Sequence, residues 1–362
     1  MSRHRAGRAP ARSGVLAAAA CSVLVTGLAG ACTAADVPPA DEAGQASDSA
    51  TAPPAAADDR GRLSGELWRN PAGHGPLAAQ QAAQQGRAAD AEALTALAEQ
   101  PTATWFANAG NPYPEVEAVS QAAAAAGQLP VLVAYYVPVR DCRSYSAGGA
   151  PDTDAYLSWM GSFAAALGDR PAVVVLEPDA IAHAVVGCEG VAPAERYDLL
   201  AQAVEILERQ PEVHTYLDAG NPGWVTDLPV LADALRSSNV DSADGFAVNV
   251  SNFQTTEDSA DFGLALSRQL DEGRPAGSRS AHFVIDTSRN GAGPPPGDGA
   301  DGSSWCNPPG RRLGDRPSTD VDRARVDALL WVKQPGDSDG TCAGGPPAGE
   351  WWPQAATELA AG

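Results

Sequence analysis

The segment Val131-Leu-Val-Ala-Tyr-Tyr-Val-Pro-Val-Arg-Asp141 is a long apolar run that leads directly to a carboxylate. The same pattern returns in Val173-Val-Val-Leu-Glu-Pro-Asp179 and in Leu329-Leu-Trp-Val-Lys-Gln-Pro-Gly-Asp-Ser-Asp339. A continuous apolar run of this length is typical of a strand buried on both faces, as in a parallel sheet. An acid at the end of such a strand is costly to bury unless it is paired. The three runs therefore indicate a site that uses carboxylates for acid–base chemistry.

Seven strand-like segments alternate with helix-like segments along the chain. The predicted strands are 103–107, 131–137, 173–177, 215–218, 245–250, 282–286 and 328–332, and the predicted helices include 115–126, 154–167, 194–209 and 228–237. Repeated βα units imply parallel strands, in a barrel or in an open doubly wound sheet. Polar groups at the strand ends favour the barrel, because its mouth collects catalytic residues from several strands. These groups are Asp141, Asp179, Asp218, Asn249, Asn252, Asp286 and Lys333.

The first 62 residues have the composition of a targeting segment followed by a spacer. Four arginines within the first twelve residues precede an apolar, Ala-rich stretch, so we assign residues 1–35 to a signal peptide. Two cleavage routes stay open: before Cys32, which would then carry a lipid, or after Ala35. Residues 36–62 are mainly Ala, Pro, Asp and Ser, which predicts a disordered linker. We expect the folded domain at residues 63–362.

Charge and cysteine content limit which ligands the protein can bind and indicate the compartment in which it folds. Lys and Arg total 24 against 45 Asp and Glu, and the resulting net charge of -21 argues against nucleic acid, which needs basic patches. No Gly-rich phosphate loop follows a predicted strand, so we expect no nucleotide cofactor. Beyond the predicted signal the chain has an even set of cysteines, which suits two disulfides in an oxidising compartment. They are Cys142, Cys188, Cys306 and Cys342, and their wide spacing argues against a metal site.

Six groups of residues follow one another in a characteristic order. They are Arg140-Asp141-Cys142, Glu177-Pro178-Asp179, Tyr216-Leu-Asp218-Ala-Gly220, Asn249-Val-Ser-Asn252, Trp305-Cys-Asn-Pro, and Trp331-Val-Lys333 with Ser338-Asp339-Gly-Thr. This ordered set resembles glycoside hydrolase family 6, the cellulases that cut β-1,4-glucans with inversion. The resemblance covers the chain from Trp105 to Trp352. It implies an α/β fold, a distorted, seven-stranded parallel (β/α) barrel similar to a TIM barrel, with an open active-site cleft.

The resemblance implies catalytic roles for three aspartates. Asp179 matches the family's proton donor, and Asp141 matches the aspartate whose charge raises the pKa of that donor and helps to position or deprotonate water. Asp339 matches the candidate base, with direct attack and a water relay both left open. Inverting hydrolysis needs groups with separate roles, because one carboxylic acid protonates the leaving oxygen while a second group activates water on the opposite face.

The resemblance also implies a substrate-binding platform around these acids. Its members are Trp105, Tyr135, Ser146, Asp218, Asn221, Trp224, Asn249, Trp305, Lys333 and Asp337. The tryptophans could stack on pyranose rings, with core or rim packing as the alternative. Asn221 stands where family members often have His, and Asp337 where Glu is common. Lys333 and Arg289 could bind hydroxyls or pair with site acids, and Glu177 could be a buried partner of the acid loop.

The predicted disulfides, Cys142–Cys188 and Cys306–Cys342, would each tie neighbouring loops of the barrel mouth. We expect a secreted or extracellular endo-β-1,4-glucanase, because roughly 300 residues leave little length for the loops that roof a tunnel in exo-acting members. An exo-acting cellobiohydrolase, a non-catalytic glucan-binding surface protein and a preference for another β-glucan stay open. We expect a monomer with a β-1,4-glucan as its partner and no cofactor, metal, nucleic acid or protein partner. A lipid on Cys32 would anchor it to the outer face of the membrane.

Overall fold

The computed structural model describes residues 63–275, 277–297 and 305–361. The predicted signal peptide (1–35), including Cys32, and the predicted linker (36–62) lie outside the described residues. Within the described part, no helix combines the length and apolarity that a membrane span requires.

Seven parallel strands form one sheet in sequence order. They are β1 (Thr104–Phe106), β2 (Val131–Ala134), β3 (Ala172–Leu176), β4 (Val213–Asp218), β5 (Gly245–Val248), β6 (His282–Asp286) and β7 (Val326–Leu330). The sheet curls until its two edges meet, where the N–H of Ala103 donates to the carbonyl of Trp331 at 2.9 Å. The prediction of a distorted, seven-stranded parallel barrel is therefore confirmed.

Alternate residues of the strands serve two separate cores. On β2, Val131 and Val133 join the cluster inside the barrel, whereas Leu132 and Ala134 join the cluster between the sheet and the helices. Side chains alternate between the faces of a strand, so a strand with two buried faces is apolar throughout. This arrangement explains why β2 and β3 are continuous apolar runs in the sequence.

Nine helices occur among the described residues. They are α1 (His74–Gln84), α2 (Ala88–Ala98), α3 (Tyr113–Ala126), α4 (Thr153–Leu167), α5 (Ala180–Val186), α6 (Pro193–Leu207), α7 (Leu228–Ser237), α8 (Thr256–Asp271) and α9 (Pro353–Ala361). The four helices named from the sequence correspond to α3, α4, α6 and α7. A cluster that contains Leu94, Leu97, Trp331 and Ala356 packs α2 and α9 beside the residue that follows β7.

Three strands, β2, β5 and β7, end two or three residues earlier than the apolar runs predict. Buried side chains or a turned backbone replace the hydrogen bonds of the sheet there. The N–H groups of Tyr136 and Val137 donate to the carboxylate of Glu177 at 2.9–3.0 Å, so β2 stops at Ala134. The N–H groups that follow β7 donate to another buried carboxylate, described below. At the end of β5, Asn249 has a left-handed backbone with φ 65°. The strand ends thus become the floor of the barrel mouth.

Two disulfides connect the mouth loops. Cys142 is bonded to Cys188 and Cys306 to Cys342, with Cα–Cα distances of 5.7 and 6.2 Å. These are the pairs that the family resemblance implied. Each cross-link closes a segment of the chain (46 and 36 residues of separation) and so restricts the unfolded state.

Candidate active site

Asp179 lies at the junction of β3 and α5, on the floor of the mouth. Its backbone is left-handed (φ 69°), and its N–H donates to Oδ2 of Asp218 at 2.8 Å. The side chain is partly accessible, whereas Asp218 is buried beneath it. A strained backbone persists only where its surroundings hold it in place, and such residues cluster at functional sites. The structure therefore brings Asp179 to the surface of the cleft on a fixed support.

The surroundings of Asp179 favour its protonated form. Burial raises the pKa of Asp179 well above its ordinary value, the charges of Asp218 and Asp141 raise it further, and Lys333 opposes them. Burial also raises the pKa of Asp218 to about 7, against the N–H groups of Asp179 and Gly220. A carboxyl group that resists ionisation in a cleft can serve as a general acid. Asp218 fits an electrostatic and supporting role beneath it.

The loop after β2 presents Asp141 with a fixed orientation. Oδ2 of Asp141 accepts the backbone N–H of Ser146 at 2.6 Å. The guanidinium of Arg140 holds the loop, donating to the carbonyls of Ser146, Ala107 and Tyr135, each at 2.8 Å. Burial raises the pKa of Asp141, although the Ser146 bond and the Arg140 charge oppose this effect. Ser146 thus contacts Asp141 through its main chain.

Asp339, in the loop after β7, has the opposite environment. Its Oδ2 lies 2.9 Å from Nη1 of Arg289 and 3.0 Å from the N–H of Asn307, and its Oδ1 lies 3.2 Å from Nζ of Lys333. Burial opposes ionisation, but the charges of Arg289 and Lys333 outweigh it and hold the pKa of Asp339 below its ordinary value. Asp339 is therefore a buried carboxylate that stays ionised.

Two further buried carboxylates support the floor. Glu177 holds the end of β2, and burial raises its pKa to about 7, against the N–H groups of Tyr136 and Val137. Asp286 accepts N–H groups from the three loops after β5, β6 and β7. The donors are Ser251, Ser288, Val332 and Lys333. Glu177 thus supports the start of the loop that leads from β2 to Asp141.

The predicted aromatic platform is divided between packing and exposure. Trp105 donates Nε1–H to the carbonyl of Val332 at 2.7 Å and meets the ring of buried Tyr135 edge-on at 5.4 Å. Trp224 is partly accessible and contacts His183 edge-on at 5.0 Å. Trp305 is 38% exposed, so it has the most accessible ring surface of the three predicted tryptophans.

Three predicted sugar contacts form hydrogen bonds with other groups of the protein itself. Asn249 has 0% exposure, its Nδ2 donates to the carbonyls of Gln254 and Asp286, and its Oδ1 accepts the N–H of Gln254, so a sugar contact at Asn249 stays a prediction. Buried Asn221 accepts the N–H of the second residue after it, at 2.9 Å. Asp337 binds Nδ1 of His74 at 2.6 Å. These side chains shape loops, because their polar atoms bond the chain itself.

Several residues of the site were missed by reasoning from the sequence. Arg140 and Asn307 stand inside the quoted motifs, so their position was a usable signal. Tyr145 carried no signal: its ring is exposed, packs on Gly340 beside Asp339, and lies 6.0 Å from the ring of Trp305. A Cβ atom on Gly340 would overlap the Tyr145 ring, so this contact between the loops after β2 and β7 depends on glycine.

At the mouth of this parallel barrel, the environment of Asp179 favours a protonated carboxyl group and that of Asp339 an ionised one. An acid–base hydrolase needs such a pair. Residues 64–362 match the sequence model for glycosyl hydrolases family 6. The chain therefore belongs to glycosyl hydrolases family 6, as the resemblance indicated.

Known relatives agree with this assignment. Endoglucanase 1 of Streptomyces sp. (strain KSM-9) is 42% identical over 74% of this chain and 70% of its own length. Endoglucanase A of Cellulomonas fimi is 41% identical over 75% of this chain, which spans only 56% of that enzyme. The structure of the endoglucanase Cel6 from Mycobacterium tuberculosis, in complex with methyl-cellobiosyl-4-deoxy-4-thio-β-D-cellobioside, superposes with a TM-score of 0.73 at 38% identity. The superposed region covers 84% of this chain and 98% of the Mycobacterium tuberculosis chain.

The elevated pKa of Asp179 predicts the basic limb of the pH profile. If protonated Asp179 is the acid, kcat/KM should fall as the pH rises through its pKa, well above the value of about 4 for an ordinary aspartate. Asp218→Asn removes one of the charges that raise this pKa, so the basic limb should move to lower pH. Asp154→Asn, an exposed change on α4, should leave it in place. An unmoved limb in Asp218→Asn would contradict the electrostatic coupling.

Proposed function

We propose that this chain is an endo-β-1,4-glucanase that hydrolyses internal β-1,4-glucosidic bonds with inversion. The observation that carries the proposal is the contrast between two carboxyl groups of one cleft: the environment of Asp179 favours a proton, and that of Asp339 favours a charge. Inverting glycosidases need such a pair on opposite sides of the scissile bond. The endoglucanase names of the relatives support the same activity and a glucan substrate.

The proposed reaction is a single displacement. Asp179 gives its proton to the glycosidic oxygen as the bond from that oxygen to the anomeric carbon breaks. Water attacks the anomeric carbon from the opposite face and passes its proton through a second water molecule to solvent, and Asp179 regains a proton from solvent after the product leaves. The new reducing end is therefore first formed as the α-anomer. Asp141, whose loop is fixed by Arg140 and Ser146, is placed to keep Asp179 protonated and to orient the water.

Asp339 is proposed to act without taking the proton directly. A carboxylate held by Arg289 and Lys333 at 2.9 and 3.2 Å is a weak proton acceptor, because its pKa lies below its ordinary value. Its charge can still stabilise the positive charge that develops on the sugar. This environment supports the water-relay alternative over direct attack.

The substrate would bind along the mouth above these acids. Trp305 offers an exposed ring for stacking on a pyranose, and Trp105, Trp224 and Tyr135 provide partly or fully packed walls. Lys333 and Ser146 remain proposed contacts beside the acids. Two disulfides and the N-terminal segment support action outside the cytoplasm. Lipid anchoring through Cys32 and a monomeric state remain predictions.

One observation favours the exo-acting alternative. Tyr145 from the loop after β2 packs on Gly340 from the loop after β7, so two walls of the mouth touch.

The test is to incubate the purified protein with carboxymethyl cellulose while following viscosity and reducing ends together. A steep loss of viscosity with few new ends supports internal cutting, whereas slow loss with steady release supports exo action. Retention on insoluble glucan without new ends would instead support a binding protein.

A further inference from the structure

Asn307 joins the catalytic loop after β7 through both ends of its amide. Its side-chain Oδ1 accepts the backbone N–H of Asp339 at 2.8 Å, and its backbone N–H donates to Oδ2 of Asp339 at 3.0 Å. Its Nδ2 lies 2.7 Å from the carbonyl oxygen of Gly340, 3.2 Å from that of Cys342 and 3.2 Å from Oγ of Ser338. One side chain therefore bonds four residues of this loop: Ser338, Asp339, Gly340 and Cys342.

The geometry around Asn307 is specific for this residue type. Its backbone is left-handed with φ 48°, a conformation that asparagine tolerates better than most residues. A Cβ atom on Gly345 would lie 2.5 Å from Nδ2, so glycine at 345 leaves the space that the amide fills. Only a side chain with a donor and an acceptor at this length can satisfy both sets of partners.

We propose that Asn307 is a positioning residue for hydrolysis, which fixes the orientation of the Asp339 carboxylate; this role rests on the proposed glucanase function. Arg289 and Lys333 supply attraction to Asp339, whereas the paired bonds with Asn307 define where its main chain and one oxygen lie. Catalytic groups must be held close to their productive geometry, and an error of about 1 Å can cost on the order of 10²-fold in rate.

The disulfide beside Asn307 offers a competing explanation. Cys306–Cys342 already connects the same two segments, with a Cα–Cα distance of 6.2 Å. A disulfide limits the distance between the two segments, but it has no N–H or O–H donor that could orient the carboxylate. If the cross-link alone positioned the loop, removal of the Asn307 amide would leave catalysis unchanged.

The test compares Asn307→Gly and Asn307→Asp in the full chain on a soluble cello-oligosaccharide. Glycine keeps the left-handed backbone without the amide, and aspartate keeps the size and the acceptor but loses the Nδ2 donors. Both should lower kcat by about 10²-fold with little change in KM. The acidic limb of the pH profile should move to higher pH, because without the Oδ1 bond the Asp339 segment can move away from the backbone N–H of residue 307, whose donation helps to hold the pKa of Asp339 down. Asn111→Ala, which removes an exposed turn bond to Tyr113, is the matched control.

A second variant keeps the test independent of Asn307 itself. Gly345 has an ordinary backbone (φ −70°), and a Cβ atom there would overlap Nδ2 of Asn307 at 2.5 Å, the carbonyl oxygen of Gly340 at 2.7 Å and Oγ of Ser338 at 2.8 Å. Gly345→Ala therefore displaces the Asn307 amide together with the groups it bonds and should reproduce both effects. If the wild type is active and the variants keep its kcat and its acidic limb, the positioning role is overturned and the proposed function stands. Lower thermal stability with an unmoved pH profile would overturn it as well. A wild type without hydrolysis would overturn the proposed function together with this role.

Discussion

Asp179→Asn should lose hydrolysis of unactivated glucan by about 10³-fold while it retains sugar binding. The amide has nearly the same shape as the carboxylic acid but cannot give a proton to the leaving oxygen. Binding should persist because the exposed ring of Trp305 and the loop groups around it are unchanged. Initial rates on a cello-oligosaccharide, together with its dissociation constant from calorimetry, separate the two effects.

The stability of this variant provides an internal control. Because the pKa of Asp179 is raised in the folded protein, its contribution to stability is present at low pH and is lost as the pH rises through that pKa. An asparagine has no charge to bury, so Asp179→Asn should be at least as stable as wild type at neutral pH. Asp152→Asn replaces the cap of α4 by an equally good cap and should change neither property. Near-wild-type turnover in Asp179→Asn would contradict the acid assignment.

Asp339→Asn should both destabilise the fold and abolish most activity. Buried Arg289 and half-buried Lys333 both contact this carboxylate, and the neutral amide would leave two cations without a counter-charge. Removal of one partner from a buried ion pair typically costs about 3 kcal/mol or more. Urea unfolding monitored by tryptophan fluorescence should show this loss as a lower midpoint with an unchanged slope.

The matched control for Asp339→Asn is Asp322→Asn, because Asp322 is exposed in the segment before β7. Surface substitutions of this kind usually change stability by less than about 0.5 kcal/mol. If Asp339→Asn unfolds at the same urea concentration as Asp322→Asn, Arg289 and Lys333 do not depend on the Asp339 charge. The ionised state assigned to Asp339 would then have no support.

The strands were predictable because their physical signal is local. Each of β2 and β3 has two buried faces, so an apolar run alone marks it. The strand ends were less predictable, since β2 ends where Glu177 takes its N–H groups and this contact spans 40 residues or more. Alanine-rich α1 and α2 have weak periodicity, and their position depends on packing against other elements.

For the site, the motifs located the acids but not the environments that set their charges. Asp179 and Asp339 both follow apolar strands, yet their pKa values shift in opposite directions. That difference comes from Asp218 and Arg289, which reach the site from other strands. The environment of Asn249 was not predictable for a related reason: its amide bonds depend on the path of the following turn, which the residue type alone does not define.

The most direct measurement of the central claim is the anomeric configuration of the first sugars released from a cello-oligosaccharide, followed by proton NMR before mutarotation. Protonated Asp179 and water attack on the opposite face predict that the α-anomer accumulates first and then relaxes toward equilibrium. Initial release of the β-anomer would mean retention through a covalent intermediate. That result would contradict the roles assigned here to Asp179, Asp141 and Asp339.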